Sequence, residues 1–312
     1  MIVGQRPTGI QLFYRLRGSV LPHIAWELAT CTGVAVLVML THGFVYQWKI
    51  TLTTVPFSLI GLALAIFLGF RNSAAYDRYW EARKLWADLV MRSRSFARQV
   101  QTLPHFDAPV RFGDHEDARR LLVLRAIAYA SALRHKLRGS DPAADLGRLL
   151  PAQEVAAFAV VPCGTEYLLR RMGDELGALL RARRLDAPLA ANMDQTLTGM
   201  AAVAAGCERI KNTPIPFPYT LLLHRTAWLY CFLLPFGLVD TVGFMTPFVV
   251  VIVAYTFFGL DALGDEIEEP FGLADNHLPL DAYCREIEIC LLQALDAPEL
   301  PPRLLPVQGR LT

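Results

Sequence analysis

Seventeen consecutive residues without a charge, Thr54 to Phe70, run straight into a densely charged stretch. Arg71, Asp77, Arg78, Glu81, Arg83 and Lys84 follow within 14 residues, mixed with Tyr76, Tyr79, Trp80 and Trp86. No proline interrupts the join, so the pattern predicts one long helix that leaves a membrane and continues into water. Leu62, Ile66 and Phe70 recur at i, i+4 and i+8 and share one face. Ser73 and Asp77 continue that face, so it passes from apolar to polar. Several copies around an axis would form a dry neck opening into a wet vestibule. The plainer reading of such a stripe is helix packing or lipid contact. Gly61, Ala63, Ala65 and Gly69, small and on other faces, weigh against it because they let neighbouring helices approach there.

Composition agrees with a chain of two environments. Of 312 residues, 54% are hydrophobic and 19% charged. That is too apolar for a typical soluble domain and too charged for one lying wholly in a bilayer. A net charge of +1 gives no footprint for nucleic acid. The cysteines, Cys31, Cys163, Cys207, Cys231, Cys284 and Cys290, form no C-x-x-C pair and read as free thiols. Asp114, His115 and Glu116 are the one compact metal-like cluster, but adjacent residues diverge and a solvated turn is expected. No P-loop, dinucleotide fingerprint, nucleophile elbow or zinc-protease motif is present, so neither an enzyme nor a bound cofactor or metal is expected.

Four spans can be drawn, at about Leu21–Tyr46, Thr54–Phe70, Tyr219–Val239 and Val242–Leu260. Short connections pair them into two hairpins. Arg6, Arg15 and Arg17 precede the first span, and Arg71, Arg78, Arg83, Lys84, Arg92, Arg94 and Arg98 follow the second. Arg209, Lys211 and Arg225 flank the third, whereas the hairpin loops carry only Lys49. The positive-inside rule then places both termini and the whole middle in the cytoplasm. The expected organisation is a cytosolic segment at 1–20, a hairpin at 21–70, a helical cytosolic region at 71–218, a second hairpin at 219–260 and a cytosolic segment at 261–312. The first span is expected to remain uncleaved.

The middle region reads as amphipathic helix throughout, over Asp77–Leu103, Glu116–Arg138, Glu166–Arg184 and Leu189–Arg209. Breaks are expected at Pro104, Gly139–Pro142, Pro162 and Asp186–Pro188. Pro214, Pro216 and Pro218 predict an extended, stiff linker into the third span. The last dozen residues are expected to be loose. Asp261, Asp265, Glu266, Glu268 and Glu269 after the fourth span read either as a solvated helix end or as a negative rim that concentrates cations, with Asp77 on the stripe face and Asp240 at the opposite mouth as weaker counterparts. Glu27, His224 and Arg225 lie near span ends, where snorkelling or interfacial pairing is expected.

The stretches VPFSLIGLALAIFLGFRNSAAYDRYWEARKLW, NTPIPFPYTLLLHRT, LLPFGLVD and DEIEEPFG closely resemble the bestrophin family, above all its bacterial members. The resemblance implies an all-α membrane protein with four spans as two hairpins and an inserted helical cytosolic region. It also implies a homopentamer around a central ion pathway, with a neck at Leu62, Ile66 and Phe70 and a cytosolic aperture for which Leu189 is the candidate. Animal members have a neck richer in Phe, and carry a calcium clasp where this chain reads Leu273, Ala274, Asp275, Asn276, His277; loss of two carboxyl positions argues against tight calcium binding. The family is associated with chloride, whereas its bacterial members and the acidic rim lean towards monovalent cations such as sodium and potassium. Arg71, about 100° from the stripe, is discounted as a pathway residue. The expected function is a passive ion channel of the plasma membrane (a bacterial inner membrane), whose partners are its own copies, lipids and small inorganic ions. A non-channel membrane scaffold or a secondary transporter is the alternative.

Overall fold

The computed structural model describes residues 1–3, 9, 18–45, 48–49 and 52–312. Arg6, Arg15, Arg17 and Tyr46, used above for orientation and the first span, lie outside the described residues. Apart from one pair of two-residue strands, the regular elements among the described residues are helices. They fall into two compact units. The apolar unit takes 4–79 and 214–270; the polar unit takes 1–3, 80–213 and 271–312.

In the apolar unit, α1 spans Ala25–Leu40. It stops well short of the expected Tyr46. Thr41 Oγ1 donates to Leu37 O at 3.0 Å. His42 and Gly43 then adopt positive φ of 50° and 78° and turn the chain out of the helix. Strands β1 (Phe44–Val45) and β2 (Trp48–Lys49) pair antiparallel just beyond. Helix α2, Thr54–Thr102, is continuous for 49 residues, as the uninterrupted sequence pattern requires.

The second apolar pair follows the polar unit's long insertion, and its first helix, numbered below in chain order as α8, spans Phe217–Val242. A 3-10 turn at Gly243–Met245 leads directly into α9, Thr246–Glu268. Phe217 opens α8 and Pro218 lies in its first turn, so the expected linker shrinks to Thr213–Pro216. Proline is tolerated there because the first-turn N–H groups have no intrahelical acceptor. Of the acidic residues expected after the fourth span, Asp261, Asp265, Glu266 and Glu268 lie in the last two turns of α9, and Glu269 follows its end. By length and apolarity, Val55–Thr102 and Phe217–Glu268 contain stretches able to cross a membrane; Ala25–Leu40 is apolar but shorter.

A core of Ile24, Cys31, Ala35, Leu64, Leu68, Ala227, Cys231, Val250, Ala254 and Phe258 joins α1, the start of α2, α8 and α9. Its small members matter because lipid tails are as apolar as leucine. Close approach and dispersion then hold such helices together, rather than escape from water.

In the polar unit, α3 spans Ala118–Arg138 and is surrounded on all sides, with Leu122 to Leu133 buried throughout. Asp117 caps it, accepting from Arg119 N at 2.8 Å, and Gly139 ends it at φ 65°. Around it lie α4 (Ala143–Leu149), α5 (Ala152–Val160), α6 (Gly164–Arg181), α7 (Ala187–Asn212) and α10 (Leu280–Ala294). Arg125, inside α3, donates Nε and Nη2 to the two Glu154 oxygens at 2.9 and 3.1 Å, binding α5 to α3. Trp86 of α2 is fully buried and stacks on Tyr283 of α10 at 6.1 Å.

The C-terminal dozen residues are tied rather than loose. Val3 N donates to Gly309 O at 2.9 Å, Leu311 N to Met1 O at 2.8 Å and Ala282 N to Thr312 O at 3.0 Å. Backbone pairing supplies the order that a proline-rich composition does not announce.

Candidate functional site

The site is built on the first seven turns of α2. The stripe residues Leu62, Ile66 and Phe70 are 62%, 48% and 64% exposed. Leu64, Leu68 and Arg71 are 2%, 0% and 1% exposed. At 100° per residue the stripe is centred about 170° from these buried positions. The helix therefore packs its back into the chain's own core and leaves the stripe bare. Val55 and Leu59 extend the bare face upward, and exposed Ser73 and Asp77 continue it downward.

Above Ile66, α2 is held by apolar contact. Phe57 meets Tyr230 edge-on at 5.9 Å, and a Cβ on Gly61 would stand 2.8 Å from Tyr230 Oη. Below Ile66 the contacts turn polar. Tyr219 Oη donates to Phe67 O at 3.0 Å, and Asn72 Nδ2 to Leu260 O at 3.1 Å. Arg78 Nε donates to Glu268 O at 3.2 Å.

Between these lies Arg71. Its Nη1 donates to Asp261 Oδ1 at 2.5 Å, its Nη2 pairs with Asp265, and Glu268 Oε2 stands 3.7 Å from Nη2. Asp261, Asp265 and Glu268 are spaced i, i+4, i+7, so α9 offers all three on one face. The other Asp261 oxygen lies 2.8 Å from His224 Nδ1. Trp228 Nε1 donates to His224 Nε2 at 3.1 Å. The imidazole of His224 thus bridges the Trp228 indole and the Asp261 carboxylate. Glu268 Oε1 accepts from Ile215 N at 2.8 Å.

Two sequence expectations change here. Asp261, expected on an open rim, is buried between Arg71 and His224; an arginine within reach makes burial of the carboxylate affordable. Asp265 is half committed, ion-paired yet with its side chain 60% exposed. Asp77 and Asp240 are exposed, the latter on the last turns of α8. His224 forms the pair expected of it, and Arg225 is exposed. Leu189 lies in the first turn of α7, within the polar unit, and is half-buried.

The Arg71 cluster was not anticipated as a unit. Its signal was present in the spacing of the three carboxylates and in a lone arginine at the foot of an apolar run. The six cysteines are free, and among the described residues no group of three His, Cys, Asp or Glu side chains could hold a metal ion.

The family model described as Bacterial/Fungal Bestrophin protein matches residues 1–293. A Mesorhizobium japonicum protein named as voltage-dependent anion channel-forming is 43% identical over 311 residues, covering 99% of this chain and 96% of the relative. An Escherichia coli protein named likewise is 42% identical over 306 residues, 98% of each chain. The crystal structure of a bacterial bestrophin homolog from Klebsiella pneumoniae is 42% identical and aligns with a TM-score of 0.81, covering 88% of this chain and 98% of that one.

Proposed function

The chain belongs to the bacterial and fungal bestrophin family, an ion-channel family of membrane proteins, and from that premise we propose that it is a passive channel for small monovalent ions. It works as a homopentamer, with five copies of α2 around a central pathway. Each copy crosses a bacterial inner membrane four times, as hairpins within 21–70 and 219–260. The regions 1–20, 71–218 and 261–312 lie in the cytoplasm.

The observation that carries the reading is the bare stripe on a helix whose other side is packed. An isolated copy leaves Leu62, Ile66 and Phe70 without partners, and a five-fold axis brings them to one another. Ile60 and Phe67, also exposed, lie on a flank about 100° away, where the neighbouring copy's helix would pack. A ring of such side chains closes by drying and opens by widening enough to admit water. Leu189 is the proposed side chain at the cytosolic aperture. Asp77 below the neck and Asp240 at the far mouth draw cations, and the carboxylates near the foot of α9 add to that preference.

Anions are the second reading, because the two relatives above are named as anion channel-forming. Reversal potentials of purified protein in a planar bilayer under a sodium chloride gradient decide between them. A value near the sodium potential supports cations, and one near the chloride potential supports anions. No current, or a monomer or dimer by mass in detergent, returns the scaffold or transporter alternative.

A further inference from the structure

Arg71 follows Phe70 directly in the chain, yet its guanidinium is cut off from water. A cation so placed, repeated in five copies, would repel passing cations, because charge in a low-dielectric interior is screened far less than in water. The chain answers it with three carboxylates on one face of α9: Asp261, Asp265 and Glu268. His224 holds the other Asp261 oxygen through Nδ1 at 2.8 Å, with Trp228 Nε1 on its Nε2 at 3.1 Å. With every carboxylate ionised, Arg71 and its three partners together carry two negative charges in excess; Arg78, whose Nε donates to Glu268 O at 3.2 Å, stands outside this count and is common to all the variants below. Asp265 holds part of that excess towards water, its side chain being 60% exposed.

We infer that this charge balance determines ion selectivity: Asp261 and Asp265 cancel Arg71 and supply the surplus that keeps anions from the lower end of the neck. The inference rests on the channel reading and adds the residues that fix the sign of the ion. The carboxylates act through the field behind the pore helix, without touching the ion, so they are specificity-determining rather than ion-binding.

The test uses the full chain in planar bilayers under a sodium chloride gradient. Three variants are compared with the natural protein. Asp261→Asn with Asp265→Asn brings the cluster to neutrality while keeping oxygen acceptors for Arg71. Adding Arg71→Met to that pair restores one surplus negative charge. Asp265→Asn alone changes a half-exposed group and spares the buried pair.

The sodium-to-chloride permeability ratio should fall at least about three-fold in the double variant and recover part of the way in the triple. The single variant should fall less, in the same direction. A merely structural role for the cluster cannot produce recovery when a further residue is removed. Unchanged reversal potentials, a triple variant no more cation-selective than the double, or an anion-selective natural protein would each overturn the inference. Should the double variant fail to assemble, the Asp265→Asn shift decides alone: a fall supports the inference and no change overturns it. A natural protein that carries no current instead overturns the channel reading on which it rests.

Discussion

Phe70 and Arg71 are consecutive in α2 and stand in opposite surroundings, the ring 64% exposed and the guanidinium sealed in the core. One turn of helix thus presents its apolar side outward and anchors its charged side to α9. The rotational setting of the stripe is fixed by that anchor.

Shortening the stripe should open the neck. Ile66→Ala with Phe70→Ala removes side chains that face away from the chain's own core, so folding should be little affected. Open probability should rise about ten-fold or more, equivalent to roughly 1.4 kcal/mol in the gating equilibrium. Single-channel recording measures it, and unchanged currents would count against the neck at these positions.

The buried Arg125–Glu154 pair makes a prediction about stability alone. Arg125→Ala strands a carboxylate inside the polar unit and should cost on the order of 3–5 kcal/mol. Arg125→Met with Glu154→Leu removes both charges and should recover most of it. Thermal unfolding of the three proteins checks this, and equal losses in single and double variants would contradict it.

Acid should loosen the polar unit. Burial alone would raise the Asp145 carboxyl, but bonds from His135 and Arg134 hold it well below the usual carboxylate range. Asp281 is likewise held low, burial being outweighed by Arg138 and Arg134. A carboxylate lowered in the folded state leaves the unfolded chain binding more protons between the two values, so stability rises with pH there. The contribution is complete above an unfolded value of about 3.9 and is lost as pH falls towards the lowered folded one. The unfolding midpoint should drop below about pH 4, and Asp145→Asn should flatten that drop. An unchanged acid limb in the variant would show that Asp145 is not responsible.

Calcium should bind weakly at most. Asp275 pairs with Arg310 at 3.4 Å, and Ala274 N donates to His277 Nδ1 at 3.3 Å, so this loop has little free oxygen to offer. Calorimetry should detect no micromolar site. Such a site, lost in Asp275→Ala, would overturn the expectation.

Legibility from sequence followed the physics of each element. The breaks at Pro104, Gly139–Pro142, Pro162 and Asp186–Pro188 were readable because proline and glycine act locally, although Ala187 and Pro188 already belong to the first turn of α7. Helix α2 was readable across its change of polarity because nothing in it breaks a helix. The end of α1 was not, since Thr41-His42-Gly43 interrupts an apolar run with a single glycine. Pro218 misled, because its meaning depends on whether it falls before a helix or in its first turn. α4 and α5 were not separated, and α10 was not singled out as a helix, its burial depending on distant segments. At the site, spacing placed Leu62, Ile66 and Phe70 on one face, but only packing reveals that this face is left bare. The burial of Asp261 was hidden for the same reason: its partners lie 190 and 37 residues away.

The polar unit is closed by residues 271–312, so it has a consequence for synthesis. The segment 80–213 emerges from the ribosome without α10, whose side chains complete the core around α3 and stack on Trp86. The 99 residues from 214 to 312 must still be made. At ordinary elongation rates that is about 5–20 s during which the nascent helical layer stands open. Until Leu280–Ala294 is made, the core around α3 lacks the helix that completes it, so this unit cannot close by folding of 80–213 alone.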